Sequence, residues 1–242
     1  MRTILTVLLG AVLACSLAAC SGGELQEADA GAVREPAEAQ PSSAPQPLEI
    51  VESGWSVNDD GYVTYAAVVR NPNGNWRCET PSLDVVLKDS DGKVLEHFGD
   101  APLVIEANSE VALAGMVGND RPGVSDIEFS MAAEGVWSAS GPVETNFYSI
   151  TELSRGAATN WPAESFRGNV TRNHYVSTEG ADAVLISVIA RDESGAIVGG
   201  ASTVMDCVPS REAIPFEVPC FIPKEGVVTY EAFARPSPKV IA

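Results

Sequence analysis

The sequence predicts an all-β chain of two tandem antiparallel β-sandwiches, and three observations predict it. From about Leu48 onward, apolar residues recur with period two and no sustained helical period appears. Turn signals such as Asp60-Gly61, Asn71-Pro72-Asn73-Gly74, Asp91-Gly92 and Arg121-Pro122-Gly123 separate these segments at short intervals. The second half also repeats the first, so the chain carries two copies of one unit.

In chain order, Met1-Arg2 supplies a positive n-region and Ile4 through Ala14 an apolar h-region too short to span a bilayer. Leu17-Ala18-Ala19-Cys20 then places a cysteine where a plain secretory signal needs none, and this segment resembles a bacterial lipobox. The expectation is a signal peptide over 1–19, with Cys20 carrying a lipid as the first residue of the mature chain. Residues 20–47 are rich in Ala, Glu, Gln, Ser and Pro, without aromatics or apolar periodicity, and predict a disordered, semi-extended linker.

Strands are expected at Tyr62–Val69, Leu83–Leu87, Val111–Leu113 and Ile127–Met131. The repeat is carried by particular residues. Arg70-Asn71 recurs as Arg172-Asn173, and Asp89-Ser90-Asp91-Gly92 as Asp192-Glu193-Ser194-Gly195. Val111 and Leu113 then match Ile214 and Phe216 in the same register. Sandwich domains over 48–141 and 142–242 follow from this. On the same register Cys207 stands for Val104 and Cys220 for Val117. Cys207 and Cys220 are therefore the candidate disulfide of the second domain, and Cys78 is left without a partner.

Val85-Val86-Leu87-Lys88-Asp89 with Gly92, and Val188-Ile189-Ala190-Arg191-Asp192 with Gly195, resemble the core of the FxLYD-type immunoglobulin-like domains of bacterial surface lipoproteins. Valine stands where Phe is usual, and Lys88 or Arg191 where Tyr is usual. The resemblance implies an extracellular immunoglobulin-like β-sandwich and supplies no catalytic residues.

Composition narrows the partners. With 33 Asp+Glu against 15 Lys+Arg and a formal charge of −18, the chain repels phosphate backbones and anionic headgroups, which argues against nucleic-acid binding. The two histidines, His97 and His174, fall in or beside expected loops and belong to no spaced metal or catalytic motif. Asp89-Ser90-Asp91-Gly92 resembles part of a calcium loop but lacks the further ligands, and an Asp-Gly hairpin accounts for it. No metal or cofactor is expected. Trp76 and Arg77, beside Cys78, form a candidate ligand edge. The alternative is that Trp76 closes the end of the sandwich while Cys78 is buried as a small hydrophobe.

These readings converge on a non-enzymatic, lipid-anchored protein on the extracytoplasmic face of the cell membrane. Its head is expected to bind an envelope protein or a wall polymer. An envelope hydrolase with an unrecognised site and a purely structural spacer are the competing readings.

Overall fold

The repeat read in the sequence is built as a repeated turn. The Asp89 amide donates to the Lys93 carbonyl, Gly92 N donates back to the Asp89 carbonyl, and Asp89 Oδ1 accepts from Asp91 N and Lys93 N. Asp192 makes the same set with Ala196, Gly195 and Ser194. Gly92 and Gly195 adopt φ of 76° and 85°, a left-handed conformation that an L side chain would strain. Each aspartate is thus occupied as a turn former. The computed structural model describes residues 44–100, 104–120, 122–132, 135–141, 143–160, 162, 164–173, 183–206 and 211–237.

The first half comprises β1 (Glu49–Val57), β2 (Val63–Arg70), β3 (Trp76–Cys78), β4 (Leu83–Lys88), β5 (Val94–Asp100), β6 (Glu110–Val117), β7 (Asp126–Met131) and β8 (Trp137–Ala139). The second comprises β9 (Tyr148–Ala157), β10 (Glu164–Arg172), β11 (Ala183–Arg191), β12 (Ile197–Asp206), β13 (Ile214–Pro219) and β14 (Thr229–Ser237). In the first half, β1-β2-β6 faces β5-β4-β7; in the second, β9-β10-β13 faces β12-β11-β14. The strand orders correspond one to one, which is the tertiary form of the sequence repeat. All these pairings are antiparallel. The fold is an all-β pair of tandem sandwiches.

Each half has its own core. Val63, Tyr65, Ala67 and Val69 of β2 meet Leu83, Val85 and Leu87 of β4 in the first. Phe166 and Val170 of β10 meet Val184, Ile186 and Val188 of β11 in the second. A third cluster joins the halves: Ala66 and Val68 of β2 and Ala112 and Ala114 of β6 pack on Ile189, Ile197 and Phe233. Sheet β1-β2-β6 is therefore covered on both faces, and the molecule stacks four layers: β5-β4-β7, β1-β2-β6, β12-β11-β14 and β13-β10-β9.

The two inner sheets approach closely because their facing positions are small. A Cβ on Gly200 would lie 2.6 Å from Ala114 Cβ and 2.8 Å from Ala66 Cβ. One on Gly54 would lie 1.8 Å from the Ile197 carbonyl oxygen. Arg191, at the end of β11, clamps the seam with two hydrogen bonds to the Glu52 carboxylate, at 2.7 and 2.5 Å.

Some expectations are corrected or fall outside the described residues. His97 lies in β5 rather than a loop, with Nε2 3.7 Å from Asp84 Oδ1. That strand was missed because Val94-Leu95-Glu96-His97-Phe98 alternates poorly. Leu17, Ala18, Ala19, Cys20, His174 and Cys207 lie outside the described residues. Cys220 carries a free, buried thiol, its Sγ 4.0 Å from the Ile222 carbonyl oxygen.

Candidate functional site

Three sheets end near one another. Among the described pairings, β6 bonds only to β2, β14 only to β11 and β9 only to β10, so each is an edge strand. These edges and the segment before β6 border a cleft of about 290 Å³ that both halves line. β6 contributes Glu110, Val111 and Ala112, and the segment ahead of it Val104, Glu106 and Ser109. The second half supplies Thr145 to Tyr148, Ile150, and Ala232 to Pro236.

Strand alternation decides which β14 side chains point where. Ala232 and Ala234 pack on the second core, so Phe233 and Arg235 project from the opposite face, toward the seam between halves. Arg235 is mostly buried, and its Nε is sealed from solvent without a hydrogen-bond partner among the described residues. Burial pushes its guanidinium down to about 10, while the charge of Asp100 opposes that shift through space. No direct ion pair joins Arg235 to Asp100.

Asp100, at the end of β5, accepts a long 3.4 Å hydrogen bond from the Tyr65 hydroxyl. Burial raises the Asp100 carboxyl, with Arg235 and Tyr65 working against the rise. Burial and the neighbouring Asp100 also raise the Tyr65 phenol. The phenol reaches Asp100 by crossing β6 at Gly115, its register partner, where a Cβ would lie 2.4 Å from the Tyr65 hydroxyl oxygen. Tyr65, Asp100 and Leu113 to Met116 line a second cavity of about 260 Å³ along the next stretch of β6.

Glu106 also lines the first cleft. Burial raises its carboxyl, Arg77 lowers it, and its Oε2 has no hydrogen-bond partner. Ser109 Oγ is already committed, donating to the Glu106 carbonyl at 2.8 Å.

The sequence-expected edge is placed elsewhere. Trp76 and Arg77 lie on β3, paired with Ala139 and Ser138 of β8. Arg77 donates to Glu79 Oε1 at 2.8 Å and to Ser138 Oγ at 3.0 Å, so its guanidinium is held by its own strand pair. Cys78 is buried, and burial pushes its thiol up. It lines, with Trp137, Pro47, Leu48 and Met131, an apolar cavity of about 520 Å³ at the end of the first sandwich. Among the described residues no three His, Cys, Asp or Glu side chains are grouped to hold a metal.

Sequence reasoning missed Arg235 because it sits in a strand whose neighbours, Ala232 to Pro236, carry no motif. The available signal was a lone arginine on the seam-facing side of β14. No family model matches the chain, and no curated protein matches it. Among solved structures it is similar to the N-terminal CBM22-1–CBM22-2 tandem domain of Paenibacillus barcinonensis Xyn10C. That match has 10% identity and a TM-score of 0.17, and covers 82% of this chain and 93% of that one.

Proposed function

We propose that this chain is a lipid-anchored lipoprotein of the bacterial envelope, facing away from the cytoplasm, whose head is a non-catalytic binding module. The FxLYD-type resemblance and lipidation at Cys20 belong to the same reading. The observation that carries the binding role is the cleft shared by the two halves, with apolar walls and a guanidinium nitrogen left unpaired. Concave, mostly apolar sites with a few convergent polar groups are where proteins hold ligands. The lining supports binding better than chemistry, since its serine, Ser109, is bonded to a backbone carbonyl rather than to a base.

Two experiments test the reading. Cys20→Ala should abolish lipid labelling and release the protein from the membrane fraction; unchanged retention and labelling would refute the anchor. A photo-crosslinking residue in place of Phe147 should capture a defined ligand on intact cells, identified by mass, while one in place of Val94 on β5 should not. Equal capture from both positions, or none from either, would refute the cleft as a binding site.

A further inference from the structure

This inference rests on the binding reading above and names the ligand class: we propose that the cleft takes a small organic monocarboxylate with an apolar body, its carboxylate received by Arg235. Buried donors in folded proteins nearly always have a partner, and Arg235 Nε has none among the described residues. No described residue hydrogen-bonds or ion-pairs with the rest of the guanidinium either, and Arg235 lines the cleft, so an acceptor entering there would meet its free terminal edge. Asp100, the nearby anion, does not serve, because it makes no direct contact with the guanidinium and already accepts from Tyr65. A guanidinium presents parallel donors that match the two oxygens of a carboxylate.

The remaining walls define the rest of the ligand. Phe147, Ile150, Val111 and Phe233 supply apolar surface, so the body attached to the carboxylate is hydrocarbon-like. A volume of about 290 Å³ admits on the order of ten non-hydrogen atoms, given roughly 30 Å³ for a water in the liquid. A multiply charged anion fits poorly. Arg235 offers one positive charge, Glu106 and Glu110 line the same cleft, and the chain carries a formal charge of −18.

Ligand-observed NMR on the full chain would test this with phenylacetate, phenylacetamide and phenethylamine, three probes of one shape and different charge. Phenylacetate should bind about tenfold or more tightly than the amide or the amine, as expected for one charge-assisted bidentate contact. Arg235→Gln should remove the preference for acid over amide, and Arg235→Lys should retain part of it. Phe233→Ala should weaken the acid and the amide alike. Should Arg235→Gln fail to fold, the acid-to-amide ratio in the unaltered chain still decides the matter. Equal binding of acid and amide, no binding of any probe, or an intact preference in a folded Arg235→Gln protein would overturn the proposal. A cleft crosslink to a ligand without a carboxylate would also overturn it while leaving the binding reading in place. Absence of both crosslink and probe binding would defeat the two together.

Discussion

Asn71 shows how one side chain fixes a segment that composition alone marks as a turn. Its Nδ2 donates toward the carbonyls of Trp76, Glu106 and Ile105 at 2.7, 3.0 and 3.2 Å. Its Oδ1 accepts from Asn73 N and Asn73 Nδ2 at 3.0 and 2.8 Å. Asn73 in turn binds the Gln46 backbone through both N–H and C=O, which docks the entry of the chain onto the first sandwich. Replacing Asn71 with Ala removes a donor from the Trp76 carbonyl and the acceptor for Asn73, and should lower stability by about 1–3 kcal/mol in denaturant titration. Gly200 tests a different force. Gly200→Val puts carbon where Ala66 and Ala114 already are, and should cost about 1–3 kcal/mol by overpacking. Gly141→Ala, with nothing within 4 Å of its Cβ position, should leave the melting temperature unchanged.

At the scale of elements, β1 is held against β11 by the Glu52–Arg191 pair, with Glu231 of β14 as the second partner of Arg191 at 3.4 Å. The Arg191 hydrogen bond holds the Glu52 carboxyl below its ordinary 4.5, and burial only partly offsets this. A carboxylate depressed in the folded state contributes stability that is full above its unfolded pKa and lost as pH falls through the folded one. The Glu52 contribution should therefore be complete at neutral pH and fade below about 4.5. The Glu52 side chain is 38% exposed, so the pair contributes no more than about 1 kcal/mol. Thermal melts of Glu52→Gln should fall slightly below those of the unaltered protein at pH 7, and the two should converge near pH 3. A gap that widens on acidification would contradict this account. Asp100 has the opposite sign: its raised carboxyl resists ionisation in the folded state, so its contribution declines as pH rises above 3.8.

For the whole molecule, the third cluster joins the two sandwiches through a buried apolar seam, with Ala66 and Ile189 both fully buried. Separating the halves would expose that surface on both sides at once. The described strands should therefore unfold in one calorimetric transition whose van't Hoff and calorimetric enthalpies agree. β2 and β11, apolar on both faces, should show the slowest amide exchange. Two resolved transitions, or early exchange in β2, would show that the seam opens independently of the cores.

Much of this architecture was legible in the sequence. The four expected strands of the first half lie within β2, β4, β6 and β7 or within a residue of them, because period-two burial and Asp-Gly turns are local properties. The duplicated turn at Asp89 and Asp192 was legible for the same reason. The seam was partly written there too. β2 and β11 read as nearly continuous apolar runs, Val63–Val69 broken only by Thr64 and Ala183–Ala190 only by Ser187. Such runs mark strands buried on both faces, whereas the equivalent outer face of β10 carries Arg167 and Asn169. What no local pattern could supply is which sheet meets which, and hence where three edge strands converge. Arg235 acquires its isolation, and the cleft its shape, only from that packing, since burial of a charge depends on atoms far away in the chain. The sequence by itself determined the strands, their turns and their duplication, because these follow from backbone chemistry and side-chain period. Tertiary structure alone decided the site, because desolvation and pairing are properties of assembled layers rather than of any one strand.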